Sequence, residues 1–377
     1  MIQYGENARL ANDTILRKKD RRVPNWLWHS MQHDQIEYFA DVKPGEYEKN
    51  PEEVYLKFQR NIGTCLLDQY IPLNPLKMGS KGFKDGHQRG ATTGLKDIYV
   101  DGMLIDSPEA VVEHMEKYVF PFLEKAVVEF EPDKHVRAII ENENKVQETL
   151  GPDILKSGYG FIGFPGLAYG MYGYENYLMA YALYPEIMEK HFALQADLFL
   201  ECNRAASKAY KEGNLPPLFR LDHDMADGRS TLVDIKSLDR IWFPHFARCL
   251  EPVIKAGVNL IWHCDGNLMQ MVPRLLDVGL KGFQGFQYEF GMDYEKICNM
   301  KTKEGEDLII IAGVSVTRTL PFGTPEDVKK EIQFLVDKGP KTGLFLACTS
   351  SITPGVPLEN LKTMVEGFMY FREHGRD

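Results

Sequence analysis

The segment WHCDGN, residues 262–267, places a histidine, a thiol and a carboxylate side by side. It follows AGVNLI, an apolar run that reads as a buried strand. Side chains alternate across a strand, so His263 and Asp265 point one way and Cys264 the other. An imidazole and a carboxylate on one side can hold a divalent metal or exchange protons. Polar groups also follow the other apolar runs of the second half. Asp222, His223, Asp224, Asp227 and Arg229 come after PPLFRL (216–221). Gln287 and Glu289 come at the end of KGFQGFQ (281–287). Ser315, Thr317 and Arg318 follow LIIIAGV (308–314), and Cys348, Thr349, Ser350 and Ser351 close TGLFLACT (342–349). A zinc site of His263, Asp265 and Glu289 suits this set. Zinc accepts nitrogen and carboxylate oxygen, and a catalytic site leaves one position open. The plainer alternative is that His263 and Asp265 only hydrogen-bond loop backbone at the strand end.

A second candidate is GYGFIGFPGLAYGMYGYENYLMAYALYP (158–185), with seven tyrosines and two phenylalanines. Glycine-rich loops with tyrosines make good walls for a flat ligand, because rings stack and hydroxyls bond. Tyr159, Tyr169 and Tyr172 are the candidates; Tyr174, Tyr177, Tyr181 and Tyr184 have helical spacing and suit a core. DGHQRG (85–90) has the D-x-H-x-x-G pattern by which some corrinoid proteins ligate cobalt. The further Ser and Gly-Gly signatures of such domains do not follow it, so it reads as an ordinary surface loop around His87.

These groups need a scaffold that brings strand ends together. Strand, polar loop and helix recur five times through the second half, with helices expected at about 237–255, near 268–279, at 294–301, at 323–339 and from 357 onward. Thr324, Pro325 and Asp327 have the types and spacing of a helix start. Such a rhythm means parallel strands with crossover helices. A closed (β/α)8 TIM barrel fits best, because barrels place their sites on the loops after the strands; an open doubly wound sheet is the alternative. The first half is less regular, with helices expected over 108–151 and 185–212. One domain over 1–377, with a helical N-terminal elaboration, is the expected organisation.

Composition narrows the function. The chain has 377 residues, 44% hydrophobic and 26% charged, with a net charge of −10. That suits a globular protein with a large core. The short basic run RKKDRR (17–22) is too small for a nucleic-acid groove. No apolar run reaches the length of a membrane span, and the N-terminus lacks a signal-peptide layout. A cytoplasmic protein with no nucleic-acid or membrane partner is expected. The six cysteines lack paired spacing and read as free thiols.

Three C-terminal blocks carry a resemblance. HCDGNLMQMVPRLLDVGLKGFQGFQ, AGVSVTRTLPFGTPEDVKKEI and LACTSSITPGVPLENLKTMVEGF resemble the uroporphyrinogen decarboxylase superfamily. RRVPNWLWH, the stretch near 173–176 and DHDM extend the match over most of the chain. The resemblance implies a (β/α)8 barrel. True decarboxylases of this group follow their N-terminal block with arginines that bind the substrate's carboxylates. Here the matching stretch, VPNWLWHSMQHDQ, holds none. Their C-terminal histidine is Ser350 here. The other branch comprises zinc methyltransferases that work with corrinoid proteins. Thiol-alkylating members use H-x-C and a later cysteine, which match His263, Asp265 and Ser350. The hard ligands instead resemble what a demethylase of methoxylated compounds would use.

The resemblance therefore implies a zinc-dependent methyltransferase, moving a methyl group from a small O-methylated compound, aromatic or not, to a corrinoid carried by a separate protein. His263, Asp265 and Glu289 would hold the zinc. Asp222 or Asp224 would act as acid or orienter, and Tyr169, Tyr172, Gln287 and Ser350 would contact substrate. The alternatives are a metal-free decarboxylase of a carboxylated or tetrapyrrole substrate, with Asp222 or Asp265 as proton donor, and a non-catalytic tetrapyrrole binder.

Overall fold

The structure is a computed structural model that describes residues 3–77, Leu95 and residues 97–376. DGHQRG and His87 lie outside the described residues. Five strands, Leu218–Asp222, Asn259–His263, Gly282–Gln284, Ile309–Val314 and Leu344–Cys348, pair in that order and all in parallel. Three short segments close the ring. Asn25 bridges to Leu346 and Trp26 to Leu66, Leu66–Leu67 pairs with Leu155–Lys156, and Gly158 bridges to Phe219, each in parallel. Eight segments thus follow one another around the ring in chain order. This is a (β/α)8 barrel, and it excludes the open sheet.

Strand alternation sorts the core into two layers. Leu218, Ile261, Ile309, Ile311, Phe345 and Ala347 face inward, in one cluster with Leu66 and Leu155. Ala8, Ala11 and Ile15 of the helix Glu6–Ile15 join that cluster, so this helix stops the end at which the strands begin. Leu260, Trp262, Ile310, Ala312, Leu344 and Leu346 face outward and pack against the helices. His263 is two residues beyond inward Ile261, so it too faces in, at the opposite end.

Local sequence explains the details. Thr324 and Asp327 form the capping box of the helix Pro325–Lys338. The expected helix over 237–255 is two, Ile235–Ile241 and Phe243–Lys255. Pro244 has no N–H to continue the first helix and sits in the opening turn of the second. The expected strand 281–287 stops at Gln284. Gly285, at φ +69°, turns the chain there, and a Cβ on it would collide with the Thr349 carbonyl oxygen. Gly282 serves a close approach, since a Cβ there would collide with the Ile309 carbonyl oxygen on the next strand. The N-terminal half adds the helices Pro132–Leu150 and Pro185–Gly213, and a small hairpin at Tyr99–Val100 and Met103–Leu104. Among the described residues, no helix is long and apolar enough to cross a membrane.

Candidate metal centre

Because the ring strands are all parallel, their C-terminal ends meet on one face. A cavity of about 420 Å3 opens there. Trp26, Trp28 and His29 line it from the first strand's end, and Gln69 from the second. Asp222, Asp224, His263, Asp265, Gln284 and Ser350 line it from later ones. Potential ligand atoms of Asp224, His263 and Asp265 all lie within 4.8 Å of one another. The strand register explains this: Asp222 pairs with His263, and Asp224 and Asp265 each lie two residues beyond that pair.

The hydrogen bonds leave this cluster ready for a cation. His263 is 8% exposed, and its Nδ1 faces the Gln284 carbonyl oxygen at 3.2 Å. A proton on Nδ1 would donate there, which leaves Nε2 free. Asp224 accepts from the Asp265 backbone N–H through Oδ1 at 2.9 Å, and Asp265 accepts from the Ser350 hydroxyl through Oδ2 at 3.3 Å. Each carboxylate therefore keeps its second oxygen. Burial lifts the Asp265 carboxyl above its ordinary value; His263 opposes the rise and the Asp224 carboxylate adds to it. A divalent cation would remove that mutual repulsion. One nitrogen and two carboxylate oxygens, with room left in a cavity, fit zinc or a similar borderline-to-hard cation.

A buried ion pair lies beside the cluster. Arg220 donates from Nε to Asp68 and from Nη1 to Asp222, both at 2.7 Å. Its guanidinium sits over the rings of Trp26 and Tyr159, at 5.2 and 4.9 Å. Burial acts to lower its pKa, but the Asp68 and Asp222 carboxylates outweigh it and raise it. Asp222 also accepts from the Tyr159 hydroxyl at 3.1 Å. Burial pushes the Asp222 carboxyl up, while His263, Arg220 and these hydrogen bonds hold it below the usual range. His29 touches Gln69 through Nε2 at 3.2 Å, and burial lowers its pKa to about 4, so it is neutral.

The sequence candidates separate here. His263, Asp265, Asp222, Asp224 and Ser350 share the cavity. The third member of the cluster is Asp224, not the expected Glu289. Glu289 lies in the short 3-10 turn Tyr288–Phe290 and accepts from the hydroxyls of Ser315 and Thr317. Gln287 is buried behind the cavity wall, where its Oε1 accepts from the Gly266 N–H. Its expected place is taken by Gln284. Tyr172 is a core residue, fully buried and bonded to His114 Nδ1 at 2.9 Å. Tyr169 stacks between His223 and Tyr174 and donates to the Asp224 carbonyl oxygen at 2.7 Å, so it braces the Asp224 loop. Cys264 faces away from the cluster, accepts from the Met225 N–H, and has its thiol pKa pushed up by burial. Sequence reasoning missed Arg220, Asp68, His29 and Gln284. Arg220 had a signal: an arginine two residues before Asp222 on the same strand face.

The uroporphyrinogen decarboxylase (URO-D) family profile matches residues 159–368, more than half of the chain. The chain belongs to the uroporphyrinogen decarboxylase family. A methyltransferase from Methanosarcina mazei has a similar structure, with a TM-score of 0.55 and 17% identity, covering 98% of this chain and 99% of that one. A protein assigned as a vitamin-B12 independent methionine synthase from Listeria monocytogenes matches at a TM-score of 0.42 and 12% identity, covering 99% of this chain and 97% of that one. No curated protein sequence matches the chain.

Proposed function

We propose that this chain is a zinc-dependent methyltransferase that takes the methyl group of a small O-methylated compound and passes it to the corrinoid of a separate protein in the cytoplasm. The observation that carries the reading is the Asp224, His263 and Asp265 cluster, with free ligand atoms turned toward one cavity at the mouth of the barrel. A divalent ion held there would polarise the departing ether oxygen, and the partner's corrinoid would supply the nucleophile for the methyl carbon. The chain's own groups do the rest. Ser350 and the Gln284 carbonyl orient Asp265 and His263. Asp222, tied to Arg220 and Tyr159, stays ionised and acts as an orienter, not as a proton donor.

The charge balance speaks against the decarboxylase alternative. Among the described residues, Arg220 is the one arginine or lysine lining the cavity, and Asp68 and Asp222 already use it. Asp222, Asp224 and Asp265 make the cavity acidic. A substrate rich in carboxylates needs free cationic partners. The test is metal analysis of tag-free protein, joined to a methyl-transfer assay with Co(I) corrinoid and methoxylated aromatic compounds. We expect about one zinc per chain and transfer that depends on it. Metal-free protein with full activity would overturn the reading.

A further inference from the structure

The turn that carries Asp265 is held by its backbone N–H groups. Asp265 N–H donates to Asp224 Oδ1 at 2.9 Å and Asn267 N–H to the Asp227 carbonyl oxygen at 2.7 Å, so both acceptors belong to one loop. The Gly266 N–H between them goes instead to Gln287 Oε1, on the loop after the strand Gly282–Gln284. Gly266 sits at φ +88°, and a Cβ on it would collide with the Asp227 carbonyl oxygen. Glycine is required there, and glycine leaves the 265–266 peptide free to turn. The other end of that peptide, the Asp265 carbonyl oxygen, accepts from the Cys264 thiol at 3.0 Å, a weak donor. The Gln287 bond is therefore what selects the peptide's orientation. Gln287 is itself fixed: Phe286 before it is buried, and its carbonyl oxygen accepts from the Phe290 N–H at 2.9 Å. Gln287 lies outside the cavity lining, so it reaches the cluster only through that peptide.

We infer that Gln287 is a positioning residue: through the Gly266 N–H it holds the Asp265 turn so that the Asp265 carboxylate is aimed at Asp224 and His263, and it thereby sets the affinity of the cluster for a divalent metal. That role rests on the metal of the proposed function and not on methyl transfer. Zinc affinity is measured by chelator competition, with zinc alone as the ligand, and the visible spectrum of the cobalt(II)-loaded protein reports the ligand geometry. Gln287→Met keeps the length of the side chain and removes the acceptor. It should weaken zinc binding about 10–100-fold, the usual cost of losing an outer partner, and should alter the cobalt(II) bands. Gln287→Asn, too short by a methylene, should do the same and serves where Gln287→Met does not fold. Gln287→Glu restores an acceptor and should recover most of the affinity. Thr324→Ala removes a helix cap outside the cavity and should leave zinc affinity unchanged. Natural-strength zinc binding in Gln287→Met and Gln287→Asn would overturn the inference. So would an equal loss in Gln287→Glu or in Thr324→Ala, or a natural protein that binds no zinc. Methyl transfer is measured separately. Weakened zinc in the two variants, with no transfer by the natural protein, removes the proposed reaction and leaves the role of Gln287 standing; transfer by the natural protein, with zinc affinity untouched in the variants, does the reverse.

Discussion

At the residue scale, alternation along one strand made His263 and Asp265 legible, because residues two apart face the same side whatever the fold. Their partner was not legible in the same way. Asp224 reaches them only through the register that pairs Asp222 with His263, and register is set by the whole sheet. Glu289 and Gln287 failed for one local reason: Gly285 ends the strand earlier than its apolar pattern suggests. Two expectations follow for the cluster. His263→Ala or Asp224→Asn should lower zinc content and methyl transfer together, by far more than the roughly 10–100-fold cost of losing an outer partner. Cys264→Ser should leave both nearly intact, since the thiol faces Met225; metal analysis that finds zinc lost in Cys264→Ser would reverse the facing of the two side chains. The Arg220 pair has a different signature. Arg220→Met leaves Asp68 and Asp222 unpaired, Asp68 fully inside the protein, and should cost about 3–5 kcal/mol in denaturant titrations. Adding Asp68→Asn should recover part of that loss.

At the element scale, the strands of the second half and the helices expected over 108–151 and 185–212 were readable, and the short strands of the first half were not. Five strands of the second half are runs of three to six residues between turns, long enough to register as apolar segments. Leu66–Leu67 and Leu155–Lys156 have two residues each, too few for any period to appear. The Pro325–Lys338 start was legible because its capping chemistry is local; Thr324→Ala should cost about 1 kcal/mol in thermal unfolding. The long helix Pro185–Gly213 carries a pH-sensitive element. Burial lowers the pKa of His191 from 6.5 to about 4, in contact with Phe120 and Phe192. Between those values the unfolded chain takes the proton and the folded one does not. Stability is therefore whole above about pH 6.5 and falls as pH drops toward 4, by at most on the order of 3 kcal/mol. His191→Gln should flatten that part of a stability-against-pH curve, and an unchanged slope would assign the acid loss to other groups.

At the scale of the whole molecule, the barrel argues that the chain folds as one unit. The region that carries the family match, 159–368, holds five of the eight ring segments. The other three come from residues 25–26, Leu66–Leu67 and Leu155–Lys156. Without them the Leu218–Asp222 and Leu344–Cys348 strands would each present an unpaired edge, and the inward cluster around Ile261, Ile309 and Phe345 would lose Trp26, Leu66 and Leu155. The helix Glu6–Ile15 depends on the barrel in turn, since Ala8, Ala11 and Ile15 bury against that same cluster. His29 and Gln69 also reach the cavity from the first half, so the site is completed only by the closed ring. We therefore expect a single cooperative unfolding transition, with fluorescence and circular dichroism coincident. A fragment beginning at residue 159 should be insoluble or lack a cooperative transition, and should gain both when a 1–158 fragment is supplied with it. A soluble, cooperatively melting 159–377 fragment would instead divide the chain into two domains.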